Sequence, residues 1–294
     1  MQLNFENKWL QWAALLLLAF VWGSSFILMK KGLIVYNYTQ LATLRMGIAF
    51  ISLLPFSIYF FKHLNKKNWV YILMVGLFGN GIPAYLFTKA QTNLSSSLTG
   101  MLNSMVPLFT LIVGVIIFKN SPSKNKIIGV LIGLIGAAGI IGFNGIDLSN
   151  GSFYYSFYVI AATICYAISV NIIKFKLQEI NPVAITSLAF LFIGIPITAY
   201  ALIDGSILET TKIHKDSISA LSYIIILAVF GTGYAVLLFN FLIKKSSAIF
   251  AASVTYIIPF VALMWGLVDG ETINFIQLIS LVIIITGIYI VNKN

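Results

Sequence analysis

The sequence predicts an all-α, polytopic membrane protein: ten transmembrane helices arranged as two inverted five-helix repeats. Three observations lead there. Hydrophobic residues make up 60% of the chain and charged residues 9%, with a mean hydropathy of +0.98, whereas soluble domains carry roughly 25% charged residues. Ten apolar runs approach the roughly 20 residues that a membrane-spanning helix requires. Finally, Phe78-Gly79-x-Gly81, Ser95, Pro107 and Gly114 return as Phe230-Gly231-x-Gly233, Ser247, Pro259 and Gly266, each pair 152 positions apart. Trp22, Ser25 and Lys30 are echoed by Tyr166, Ser169 and Lys174 at 144 positions, so small changes in loop length account for the drift.

In order, the runs are Leu10–Met29, Leu41–Phe61, Trp69–Ala90, Ser97–Phe118 and Ile127–Phe143, then Phe153–Ile173, Ala184–Ile203, Ile218–Ile243, Ala248–Val268 and Ile273–Val291. Residues 10–143 form the first repeat and 152–292 the second. The first run is too long for a signal-peptide core and lacks a small-residue cleavage pattern before Lys30-Lys31, so it is expected to be a retained helix. Between the runs, the longest polar stretch is Asp204 to Ser217, expected to be a loop of mixed charge.

Five is odd, so two consecutive and similar repeats must enter the membrane from opposite sides. Basic residues point the same way. With the N-terminus in the cytoplasm, the inside segments hold twelve lysines, among them Lys62, Lys119, Lys174 and Lys244, and the outside segments hold five, Lys30, Lys31, Lys89, Lys212 and Lys215. That bias predicts both termini in the cytoplasm.

The formal net charge of +10 is dispersed in short clusters between apolar runs, which marks topology and not a nucleic-acid face. The single cysteine, Cys165, leaves no disulfide framework and no thiolate cluster. Every Asp and Glu falls in a loop, a tail or a helix end, and His63 and His214 are in loops. No carboxylate or histidine relay is therefore expected at mid-depth, and neither a catalytic residue, a metal site nor a cofactor is expected. By the same token, transport driven by a proton exchange is not expected; substrate should run down its own gradient.

The polarity of the spans is uncharged. Asn80 and Tyr85 stand around Gly79, Gly81 and Pro83 in the third run, and Thr232, Tyr234 and Asn240 around Gly231 and Gly233 in the eighth. Glycine-rich stretches loosen a helix, and freed backbone groups are tolerated in a membrane only beside protein or a watery cavity. These two points mark either a binding cavity or a close helix contact, and both uses are compatible. In the fourth run Ser96, Gly100, Asn103, Pro107 and Thr110 recur at intervals of three or four and so share one face; in the ninth, Ala252, Thr255 and Pro259 repeat it beside Ser253 and Tyr256. Such a face is expected to point inward, with Pro107 and Pro259 as hinges or fixed kinks. Asn103 and Tyr256 stand out because an amide or phenol is costly in hydrocarbon without a partner. Trp22, beside Ser25 and deep in the first run, is expected on a cavity wall, whereas Trp9 and Trp12 belong to the interfacial belt. Arg45, about one and a half turns into the second run, is expected to anchor the helix by snorkelling outward. Gly129, Gly133, Gly136, Gly139 and Gly142 form a small-residue seam suited to close packing, with a dimer contact as the other use. Substrate contacts are thus assigned to Trp22, Ser25, Asn80, Tyr85, Asn103, Tyr234 and Tyr256, and structural or gating roles to Arg45, Pro107 and Pro259.

Trp22-Gly23-Ser24-Ser25-Phe26 with Lys30, Leu44-Arg45, the serine-rich turn ahead of Pro107, and Ser246-Ser247-Ala248, Pro259, Glu271 and Gly287 together resemble the EamA-type branch of the drug/metabolite transporter superfamily. The likeness covers nearly the whole chain, and one departure is Lys119-Asn120 where the first repeat of the family often has a glutamate. It implies a ten-helix inverted-repeat carrier in a bacterial inner membrane, working by alternating access and commonly exporting amino acids or other small metabolites. An Asn, Ser, Tyr and Trp lining with little buried charge suits a neutral or zwitterionic solute. The expected partners are that solute and the lipid bilayer, with the chain a monomer or homodimer and no nucleic acid bound. A membrane-embedded enzyme or a non-transporting membrane subunit is the alternative.

Overall fold

The computed structural model describes residues 8–62, 64, 67–119, 123–142, 152–245 and 254–292. Among them the regular structure is helical throughout. Seven helices are long and apolar enough to cross a membrane, and two shorter apolar helices, Ile257–Val268 and Phe275–Ile290, follow them. The chain is a multi-pass membrane protein. Its outer faces carry the apolar side chains a bilayer calls for: Leu16, Ile58, Ile116, Ile135 and Val268 are all more than half exposed.

The helices are α1 (Lys8–Gly32), α2 (Tyr38–Phe61), α3 (Trp69–Ala90), α4 (Ser96–Ile116), α5 (Lys124–Gly142), α6 (Ser152–Lys176) and α7 (Pro182–Asp204). After them come α8, in segments Ser217–Ile226, Leu227–Tyr234 and Ala235–Lys245, then α9 (Val254–Val268) and α10 (Phe275–Asn292). Local sequence explains the boundaries. Asn37 caps α2 in a reciprocal box, its side chain accepting from the Gln40 backbone N–H while the Gln40 side chain accepts from that of Asn37. Asn181 caps α7, whose first residue is Pro182.

Two expectations change. The polar stretch after α7 is not a loop: Ser206–Ile213 forms a short surface helix. Gly205, at φ 68, turns the chain after Asp204, and Glu209 in the first turn with Lys212 in the last complements the helix dipole. Gln40 donates to Ser206 Oγ and Thr210 Oγ1, pinning this helix to the start of α2. The second change is in α4, where Ser104 and Met105 break the helix and a new helical segment begins at Val106. Pro107 thus occupies the first turn of a restarted helix, where its missing N–H costs little; Pro259 lies inside α9.

Both glycine motifs wind as π-helix, Leu77–Gly81 in α3 and Leu227–Tyr234 in α8. Their neighbours are reciprocal. A Cβ on Gly79 would lie 2.5 Å from Ser169 Oγ, and one on Gly231 would lie 2.8 Å from Ser25 Oγ, so each copy's motif meets the other copy's first helix. The helix contacts follow the same exchange: α1 packs on α8 and α9 as α6 packs on α3 and α4, while α2 packs on α7 and α5 on α10. In the last pair the glycine seam packs helix against helix, since a Cβ on Gly136 would lie 2.8 Å from the backbone of Ser280 and Ile284.

Candidate functional site

A cavity of roughly 220 Å³ opens between the two copies. Residues of α1 to α4 and α6 to α9 line it, and among the described residues α5 and α10 contribute none. The two π-helical turns bring their backbone to it: Gly79 and Asn80 from α3, Gly231 and Thr232 from α8. A π turn is a common device at functional sites because it bends the ladder and frees carbonyls. Within the second turn, Gly231 O accepts from Trp22 Nε1 at 3.1 Å.

Trp22, Ser25, Asn80 and Asn103 all line this cavity. Trp22 meets Phe239 edge to face at 5.0 Å between ring centroids, and Phe87 joins Phe26 (6.0 Å) to Tyr166 (5.7 Å) in a continuous aromatic wall. Ser25 Oγ donates to Val21 O at 2.9 Å. Asn103 Oδ1 is buried and accepts no hydrogen bond.

Tyr85 and Tyr234 are placed elsewhere. The Tyr85 hydroxyl pairs with Thr43 Oγ1 at 2.9 Å, and Tyr234, 43% exposed, lies outside the cavity lining. Ser247, Ser253 and the Tyr256 side chain lie outside the described residues.

Arg45 does not snorkel. It is 8% exposed and lines the cavity, with Nε donating to Thr232 Oγ1 at 2.8 Å and Nη1 facing Met29 Sδ at 3.7 Å. Thr232 in turn donates to Leu227 O at 3.1 Å, five residues back, so the π turn itself positions the hydroxyl that meets the guanidinium. Thr232 and Asn240, picked out around the second glycine break, line the cavity too, and so do Tyr166 and Thr186, to which sequence assigned no part in the site. Asn240 Nδ2 donates to Thr186 Oγ1 at 2.9 Å. A usable signal was present for Tyr166, which stands at the repeat position of Trp22.

A charged cluster lies at the end of α1, where Lys30 and Lys31 meet the α9–α10 turn. Lys30 Nζ is 2.6 Å from Asp269 Oδ2 and 2.8 Å from Glu271 Oε1, and Lys31 pairs with Asp269. Gly270, at φ 79, turns the chain so that Glu271 reaches the start of α4. There Oε1 accepts from the backbone N–H (2.9 Å) and hydroxyl (2.8 Å) of Ser96, and Oε2 from those of Ser97 (3.0 and 2.6 Å). The second copy therefore caps a helix of the first with a carboxylate, the charge that a helix N-terminus favours. Burial opposes ionisation of Glu271, but the bonds from Lys30, Ser97 and Ser96 outweigh it and hold its pKa at about 2. Asp269 is also held below its ordinary value, by Lys30 and Lys31.

With this geometry in view, comparison with known proteins places the chain. It matches the EamA-like transporter family over residues 8–142 and again over residues 154–293. The chain belongs to that family. Among its relatives, an uncharacterized transporter of Archaeoglobus fulgidus is 24% identical over 96% of this chain and 98% of its own length. A probable amino-acid metabolite efflux pump of Salmonella typhimurium is 26% identical over 94% and 92%, and the uncharacterized inner membrane transporter YedA of Escherichia coli is 26% identical over 95% and 89%. A solved crystal structure superposes with a TM-score of 0.64 at 12% identity, covering 97% of this chain and 96% of the other, a likeness of fold.

Proposed function

We propose that this EamA-family protein is a secondary carrier exporting small, amino-acid-like metabolites across the inner membrane by alternating access between two inverted five-helix repeats. One observation carries the proposal: a polar and aromatic cavity whose wall is drawn from both copies, with each copy's π turn set against the other copy's first helix. Reciprocal packing of this kind is what two repeats related by a two-fold axis in the membrane plane would produce, and it favours ten spans. The efflux pump named among the relatives supports export of an amino-acid-like solute, and the inner membrane transporter supports the location.

With both termini in the cytoplasm, as the lysine bias favours, the cluster of Lys30, Lys31, Asp269 and Glu271 stands on the outer side and closes it. The cavity-lining Val75, Ile173, Ile185 and Asn240 lie toward the opposite ends of their helices. The arrangement corresponds to a carrier shut outside by ion pairs and serine hydroxyls, in which breaking those contacts would let the two copies rock apart.

Energy coupling is the testable part. The cavity wall holds no Asp, Glu or His among the described residues, and Glu271, with a pKa of about 2, keeps its charge at neutral pH. In proteoliposomes loaded with radiolabelled L-leucine or L-phenylalanine, efflux is expected to follow the solute gradient at a rate little changed by an imposed pH difference. Uphill accumulation driven by a pH gradient, with the membrane potential clamped, would contradict it.

A further inference from the structure

We propose that Arg45 is the anchor for a substrate carboxylate, which makes the cargo a monocarboxylate with an apolar or aromatic body and not an uncharged solute. The inference rests on the carrier proposal above and deepens it. Arg45 is the one charged side chain on the cavity wall among the described residues. It is 8% exposed, and among the described residues no Asp or Glu pairs with it, leaving its charge without a carboxylate. It meets a hydroxyl, Thr232 Oγ1, and a thioether, Met29 Sδ, with the Tyr166 hydroxyl beside it. None of these carries the opposite charge, and a guanidinium does not relieve the cost of burial by losing its proton. A buried cation without a counter-ion is strongly unfavourable, and the usual remedy is a paired anion. Here the open side of the guanidinium is a ligand cavity, so the missing anion is supplied by what enters.

The rest of the wall limits that anion. A guanidinium fork matches a carboxylate in two parallel hydrogen bonds. A single arginine leaves a dianion half-compensated, which disfavours phosphate esters. Asn103 Oδ1, buried on the same wall with no donor, would accept from an ammonium or hydroxyl group on the cargo. Trp22, Phe26, Phe87 and Phe239 surround the remainder with apolar surface. A zwitterionic α-amino acid with an apolar side chain meets all three demands.

The test uses the full-length protein purified in detergent, with thermal shift as the readout and four probes of matched bulk: L-phenylalanine, 3-phenylpropanoate, L-phenylalaninamide and 2-phenylethylamine. The two carboxylates are expected to bind on the order of 10- to 100-fold more tightly than the amide and the amine, the span of one charge-assisted contact. Arg45→Gln is expected to erase that difference and Arg45→Lys to keep part of it. Comparing acid with amide on the unaltered chain does not depend on a variant folding. An amide that binds as tightly as its acid, stabilisation by inorganic phosphate in place of carboxylates, or an Arg45→Gln variant that still selects carboxylates would overturn the role of Arg45 and leave the carrier proposal standing. Binding of none of the four probes would remove both.

Discussion

Replacing Glu271 by glutamine is expected to lower the thermal unfolding midpoint by roughly 3–5 °C, equivalent to about 2–3 kcal/mol for a chain of this size. The side chain is 6% exposed, and its two oxygens serve five donors: Lys30 Nζ and the N–H and hydroxyl groups of Ser96 and Ser97. Glutamine keeps the shape but loses the charge, so the capped turn of α4 loses its anion and the partly buried Lys30 ammonium keeps only Asp269 as a partner. The full cost of breaking a buried pair is discounted because Lys30 is 35% exposed. The sign with pH follows from a carboxyl whose folded pKa is about 2 against an ordinary 4.5. Its contribution is complete above pH 4.5 and is lost as pH falls from there toward 2. Unfolding midpoints recorded across that window should fall less steeply in Glu271→Gln than in the parent.

Gly287→Ala is expected to be comparably damaging for a steric reason. Its new methyl would lie 2.5 Å from Gly133 N and 2.6 Å from Gly129 O, both backbone atoms that cannot turn aside as a side chain would. Overpacking of this kind costs about 1–3 kcal/mol, and here α5 and α10 must separate along their length. Since these two helices contribute no described residue to the cavity, the folded fraction should bind ligand with unchanged affinity. A drop in yield and midpoint at constant affinity supports that division of labour; weakened affinity in the folded fraction would tie the α5–α10 seam to the site.

These cases show which features the sequence discloses. Gly79 and Gly231 were readable because a repeated motif in an apolar run has few uses, and the π turns stand at them. Trp22, Ser25, Asn80 and Asn103 were readable as cavity-wall residues because polar or indole groups deep in a span need a reason to be there. Tyr234 was assigned from its place beside the glycine break, and nearness along the chain does not fix the face: Thr232 lines the cavity while Tyr234, two residues on, is exposed. Arg45 was placed at a rim by counting residues from the helix start, and depth along a helix says nothing about which way a long side chain runs. Glu271 was legible as a loop acid and as part of the family resemblance, but not as a helix cap. Its partners Ser96 and Ser97 stand 175 and 174 residues earlier, and no local pattern joins them.

If the protein works by alternating access, its cavity must face each side of the membrane in turn, whatever the cargo. Asn80→Cys in a Cys165→Ser background puts one thiol on the cavity wall, to be labelled with a membrane-impermeant maleimide in right-side-out and inside-out vesicles. Reaction from both sides is expected, with labelling from the outside rising when Glu271→Gln loosens the cluster around Lys30. Reaction from one side alone, unchanged by Glu271→Gln, would contradict a moving carrier.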